Sequence, residues 1–268
     1  MKKILCPTDF SRIGENGVTY AAQLAKRMGA TLNLIHVNLL SDTTPEEALV
    51  GAGLSNAHWS DVLKKECLEV SNTYNISCYA EPVISVSSVP KRIANLAENF
   101  DVVVMGSNGE DNVFQKFFGS TTYRVIKQTG TPVILVPEEC TYREIKSIAY
   151  AFDYWRILDV PMEKITVLAQ DLGCSLTLVQ VMEAFSHDAE KELRATESFL
   201  WDKYSGTVSL SFKTLYDPKV TKALRELMEN GGYDALALCF REGMGSHFHT
   251  RVIREMSRDI WYPLIAFH

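Results

Sequence analysis

Three glycines, Gly106, Gly109 and Gly119, run directly into three hydroxyl residues, Ser120, Thr121 and Thr122, within the stretch "MGSNGEDNVFQKFFGSTT" (105–122). The apolar run "DVVVM" (101–105) comes just before the first glycine, and the helix-like run "TTYRVIKQ" (121–128) follows the last. Glycine lets the main chain take positive φ and approach a bulky group closely. A helix N-terminus offers free N–H groups and the positive end of the macrodipole. A buried strand, a glycine segment and a hydroxyl-led helix therefore point to an anion such as phosphate held by main chain. The same residues can serve structure alone, the glycines as turn punctuation and Ser120 as a helix cap.

A second constellation opens the chain. "KKILCPTDF" (2–10) is a short apolar strand that ends in Pro7, Thr8 and Asp9. Asp9 could accept a hydrogen bond from a ribose or a base, or it could cap the next helix, a role Ser11 could also fill. The main chain near Val37, ending the second strand, could meet the edge of an adenine. Other residue groups carry less. His247 and His249 flank Phe248, and a metal site would need ligands that the sequence does not assign, so a solvated loop competes with zinc. Phe114, Phe117 and Phe118 either pin the glycine segment to the body or form a patch for a partner. There is no Gly-x-Ser-x-Gly elbow and no Walker lysine. The six cysteines form no Cys-x-x-Cys pair, which favours reduced, buried thiols.

Strands and helices must alternate to position these groups. After the first strand, "ENGVTYAAQLAKRMG" (15–29) has apolar residues at helical spacing and ends on Gly29, a C-terminal cap. "ATLNLIHVN" (30–38) predicts a strand, 53–74 a helix with Leu54, Leu63 and Leu68 on its apolar positions, and "ISCYAEPVI" (76–84) a strand near the sheet edge because Pro82 cannot donate to a ladder. A helix led by Pro90, a strand over "DVVVMGS" (101–107), a helix over 121–128 and a strand over "PVILVP" (132–137) follow. Strands that are apolar at every position are buried on both faces, which means a parallel sheet covered by helices. With sheet order 3-2-1-4-5, ligands belong beyond the carboxyl ends of the first and fourth strands, where Asp9, Met105 and Gly106 fall.

The pattern occurs twice. "ILCPTDF" (4–10) aligns with "IAYAFDY" (148–154), and "LAKRMGATLNLIHV" (24–37) with "LAQDLGCSLTLVQV" (168–181), both at an offset of 144. Later matches, "FDVVVM" (100–105) with "YDALAL" (233–238) and "RVIK" (124–127) with "RVIR" (251–254), stand at offsets of 133 and 127. The chain reads as two α/β domains in tandem, 1–140 and 141–268, each a doubly wound, Rossmann-like parallel sheet. In the second copy Cys239, Glu242, Ser246 and His247 replace Gly106, Gly109, Gly119 and Ser120, and the loop is 133 − 127 = 6 residues shorter. We expect the second copy to bind no nucleotide in this manner. The closing strands of the two copies are expected to pack together as an internal pseudo-dimer.

Bulk properties set limits. The chain has 268 residues, 46% hydrophobic and 22% charged, with net charge −6. Such a composition supports two packed cores and carries no basic footprint for nucleic acid. No run reaches the length of a membrane span, so a cytoplasmic protein is expected.

The spacing Gly106-x2-Gly109-x9-Gly119-Ser120, the opening "KILCPTDFS" and the closing "TPVILVP" together resemble the universal stress protein family, in a tandem form covering the whole chain. That resemblance implies an adenine nucleotide alpha hydrolase-like fold and a domain that binds ATP, ADP or AMP, with Mg2+ as an optional companion. It places Pro7, Thr8 and Asp9 around the adenosine, Val37 on the base, and Gly106, Gly109, Gly119, Ser120 and Thr121 on ribose and phosphates, with Met105 beside them. It implies a regulatory role with an unassigned protein partner, and a homodimer as one arrangement. Two other functions stay open at this point: an interaction scaffold that needs no nucleotide, and a slow ATPase or autophosphorylating protein using Ser120 or Thr121 with Asp9 as base.

Overall fold

The chain is seen here as a computed structural model, which describes residues 1–39, 45–107, 120–152, 161–239, 256 and 260–268, with backbone alone for 45–56 and 120. Two compact units divide it, Met1–Tyr142 and Arg143–Phe267. The first runs β1 (Lys3–Pro7), α1 (Arg12–Met28), β2 (Thr31–Leu39), α2 (Pro45–Tyr74), β3 (Cys78–Ser85), α3 (Val89–Ala97), β4 (Val102–Ser107), α4 (Ser120–Gln128) and β5 (Val133–Pro137). The second runs β6 (Ser147–Ala151), α5 (Met162–Leu172), β7 (Ser175–Met182), α6 (His187–Tyr204), β8 (Leu210–Tyr216), α7 (Val220–Asn230), β9 (Ala235–Cys239) and β10 (Leu264–Phe267).

Within the first unit the strands lie in the order β3-β2-β1-β4-β5, all parallel. The second unit repeats it as β8-β7-β6-β9-β10, again parallel. Every residue of β5 and of β9 is buried, as continuous apolar runs require when helices cover both faces. β3 carries Pro82 and pairs with β2 at the end of the first unit's order, the edge place that proline dictates.

The helices follow their sequence signals, with two differences. α1 starts at Arg12, earlier than the run 15–29 suggests, because Ser11 caps it: the Ser11 hydroxyl accepts from the Gly14 N–H at 3.1 Å. α2 reaches back to Pro45, and Leu68 lies on its exposed side at 64% accessibility. Its buried face in the described part is Leu63, Cys67 and Val70, one helical stripe. Leu54 lies outside the residues whose side chains are described. The six cysteines are free thiols; Cys78 is half-buried and the rest are buried.

Gly29 ends α1 in the left-handed conformation, φ 60°, with Ala30 N–H donating to Ala25 O at 2.9 Å. Gly173 ends α5 at φ 65°, with Cys174 N–H donating to Ala169 O at 3.0 Å. This is the Schellman closure, and only glycine takes it without steric cost. Among the described residues no helix is long and apolar enough to cross a membrane.

One group on α2 works against the fold at high pH. The Glu66 Oε2 is buried with no hydrogen-bond partner. Burial, and then the negative charges of Glu15 and Glu69, push its carboxyl up to about 7 from the ordinary 4.5. The folded state thus holds this proton more tightly than the unfolded chain. The penalty from this one group is absent below about 4.5, grows as pH rises toward 7, and is constant above. Glu66→Gln is expected to raise Tm at pH 8 by about 2–4 °C once partial exposure is discounted, and to leave it unchanged at pH 4. Thermal melts of both proteins across pH 4–8 check this.

Candidate functional site

Parallel winding places the start of each helix at the carboxyl end of the preceding strand. β1 pairs with β4 at Ile4–Val102 and Leu5–Val103, and β4 then runs on to Ser107. A cavity of about 380 Å³ opens where the two strands part. Strand ends supply Pro7, Thr8, Asp9, His36, Val37, Met105 and Gly106; first turns of helices supply Ser11, Ile13 and Gly14 of α1, Val89 and Ile93 of α3, and Thr121 and Thr122 of α4.

The main chain is aimed by strand alternation. Successive residues of a parallel strand turn their N–H and C=O to opposite neighbours. Thr31 N–H donates to Lys2 O on the β1 side at 2.9 Å, and Leu32 N–H donates to Ser77 O on the β3 side at 3.0 Å. By the same alternation Ile35 O accepts from Thr8 N–H at 2.9 Å, where β1 has already ended. Val37, two residues on, turns its N–H and C=O to that same side with no strand left to receive them. They face the cleft as one donor and one acceptor.

Asp9 is exposed at the lip, and its Oδ1 accepts from the Ser11 N–H at 3.0 Å and the Ser11 hydroxyl at 2.6 Å. Of the two candidate caps, then, Ser11 caps α1 and Asp9 braces the cap. The buried Thr8 hydroxyl accepts from the Phe10 N–H at 3.1 Å. The His36 Nδ1 lies 2.8 Å from Thr8 O, and a carbonyl only accepts, so Nδ1 carries the proton and donates. No Lys or Arg lines the described part of the cavity. Positive potential there comes from helix N-termini, with α4 free of acidic residues in its first turn.

Of the conformational freedom expected of Gly106, the positive φ is not used. A Cβ there would collide with Ile13 O and stand 2.8 Å from Ile13 Cγ2. A Cβ on Gly17 would come within 2.8 Å of Gly106 N, and one on Gly14 within 2.7 Å of Asp9 Oδ1. Helix α1 therefore lies directly on the end of β4 through Gly17 and Gly106, while Gly14 brings its first turn against Asp9 beyond β1.

Of the expected residues, the cavity gathers Pro7, Thr8, Asp9, Val37, Met105, Gly106 and Thr121. Gly109, Gly119, the Ser120 side chain, the three phenylalanines at 114, 117 and 118, and His247 and His249 lie outside the described residues. Ile13, Gly14, His36, Val89 and Ile93 line the cavity as well, and no sequence signal was read for them. The Val89–Ile93 pair, one turn apart on α3, is the signal that could have been found. Among the described residues no group of three His, Cys, Asp or Glu side chains could hold a metal ion.

Residues 1–137 match the universal stress protein family. The chain belongs to that family. Two universal stress proteins of Methanocaldococcus jannaschii are 30% and 29% identical to it over 152 and 147 residues, spanning 50% of this chain in each case and 94% and 81% of the relatives. A universal stress protein of Archaeoglobus fulgidus, solved by crystallography, shares the fold over 99% of this chain and 97% of its own, with TM-score 0.71 at 16% identity.

The α1–β4 contact can be tested directly. Gly17→Ala is expected to lower unfolding free energy by about 1–3 kcal/mol, because main chain must shift to admit the methyl. Gly206→Ala, whose added Cβ meets nothing within 4 Å, is expected to stay within about 0.5 kcal/mol of the parent. Urea denaturation of the two variants separates these outcomes.

Proposed function

We propose that the first unit is a nucleotide-binding regulatory module that takes ATP or another adenine nucleotide, and that the second unit binds none. The observation that carries this reading is the cleft itself: helix N-termini, unpaired strand-end main chain and one carboxylate converge on a single cavity.

The chemistry divides along the cleft. Val37 offers one donor and one acceptor on adjacent main-chain groups, which match adenine N1 and the N6 amino group. Apolar Val89, Ile93 and Met105 suit the flat faces of a base. Asp9 retains acceptor capacity for ribose hydroxyls and would repel phosphate, so phosphates belong at the α4 end. There Thr121 and Thr122 line the cavity. Gly109, Gly119 and Ser120 precede them in sequence, and we assign these the remaining phosphate contacts, with Mg2+ as a companion of ATP.

Two substitutions support confinement to the first unit. At the offset of 144, Gly17 corresponds to Pro161, and at the offset of 133, Gly106 corresponds to Cys239. Both carry side chains where the first unit tolerates none. A cleft of the same depth cannot form there by the same packing.

Calorimetry of the full chain with ATP is expected to give one site per chain. Gly109→Val is expected to abolish it, and Asp9→Ala to weaken it about 10-fold through loss of roughly one charge-assisted hydrogen bond. Stoichiometry of two, or unchanged affinity in Gly109→Val, refutes the assignment.

A further inference from the structure

Phe10 adopts φ 60°, in the left-handed region, where a bulky residue is rarely found. It stands between Asp9 of the cleft and Ser11, the cap of α1. Its ring stacks on Trp59 of α2, centroids 5.0 Å apart and planes 8° from parallel. His36 closes the cluster, 4.8 Å from Phe10 and 4.9 Å from Trp59. All three rings are half-buried.

The left-handed turn at Phe10 directs the bonds around it. It brings the Ser11 N–H to Asp9 Oδ1, just beyond the Phe10 N–H that donates to the Thr8 hydroxyl. With φ negative at Phe10, the chain would leave Asp9 in another direction and the bond from Ser11 N–H to Asp9 Oδ1 would part. His36 holds the same turn from below by donating to Thr8 O. A strained backbone persists only where its surroundings over-determine it, and such strain gathers at ligand sites.

We propose that Trp59 is a positioning residue for the cleft: its stack holds Phe10 left-handed, and that turn sets the place of Asp9 against the cap of α1. Trp59 itself does not line the cavity. The inference rests on the nucleotide reading for its affinity measurement, but the position of the turn can be read without ligand.

Rescue by glycine is the decisive test, because glycine takes positive φ with no stack to hold it. In the full chain, Trp59→Leu is expected to weaken ATP binding about 10-fold, Trp59→Phe to stay within about 2-fold of the parent, and Trp59→Leu combined with Phe10→Gly to return within about 3-fold. A stack that mattered only as packing would make the double variant weaker still. The same proteins are compared without ligand by hydrogen exchange at the Ser11 and Gly14 amides, whose acceptors are Asp9 Oδ1 and Ser11 Oγ. Protection is expected to fall in Trp59→Leu and recover in the double variant. A double variant as weak as Trp59→Leu overturns the proposal, as does unchanged protection in Trp59→Leu. If the parent binds no ATP, the nucleotide reading fails and the exchange result alone decides this inference.

Discussion

Helix α1 rests on the carboxyl ends of β1 and β4 at a separation that leaves no room for a Cβ, and the cleft of the first unit follows from that one contact. Gly14 meets Asp9, and Gly17 meets Gly106. The seat is locked from the far side, where the Asn16 amide donates to Pro137 O at 2.8 Å and to Glu138 O and Cys140 O at 3.2 Å. With α1 fixed between the end of β5 and the end of β4, its capped first turn lies beside Thr8 and Asp9. The helix start and the strand ends then share one cavity. A helix held a methyl group further out would separate them.

The absence of basic side chains along the described cavity has a physical sense in this arrangement. Lysine and arginine are long, and ordering them costs side-chain entropy. N–H groups at helix starts are ordered already by the fold, so an anion would meet donors that need no rearrangement. Such a site depends on backbone position more than on side-chain identity. Its tolerance for error is therefore set by packing between elements, which is why glycines on a helix count as much as glycines in a loop.

The sheet was legible because burial on both faces leaves a continuous apolar run, and β5 and β9 are buried at every position. The helix end at Gly29 was legible because the left-handed closure is a local event with a local sequence sign, and Gly173, aligned with it by the repeat, makes the same closure. Much of the site could also be placed, since Pro7, Thr8, Asp9, Val37, Met105 and Gly106 sit at strand ends that the winding brings together. Gly14 and Gly17 could not, because inside a helical run their spacing is indistinguishable from chance small residues. The reason for Gly17 is Gly106, 106 − 17 = 89 residues away in the chain, and that for Gly14 is Asp9 across the turn that enters the helix. Gly106 lies at the cavity without a positive φ, and what excludes a Cβ there is Ile13 of another element, which the sequence around Gly106 does not show. The ring cluster of Phe10, His36 and Trp59 likewise joins three separate segments, none of which carries an aromatic signature alone.

The two copies divide these devices into those that serve folding and those that serve the cleft. Asp101 precedes β4 and accepts from the Lys3 N–H at 2.7 Å. Its counterpart Asp234 precedes β9 and accepts from the N–H groups of Lys146 and Ser147, each at 2.9 Å. That bond joins the fourth strand of each unit to the first, and it is made in both. The glycine closures after α1 and α5 are likewise made in both. The helix-on-strand glycines are not: Pro161 stands at the N-cap of α5 and Cys239 is buried at the end of β9. A proline at that position loses no hydrogen bond, since a helix start has no partner for its N–H. The second unit thus keeps the strand-joining carboxylate and the helix closure, while a proline and a cysteine stand where the first unit has Gly17 and Gly106.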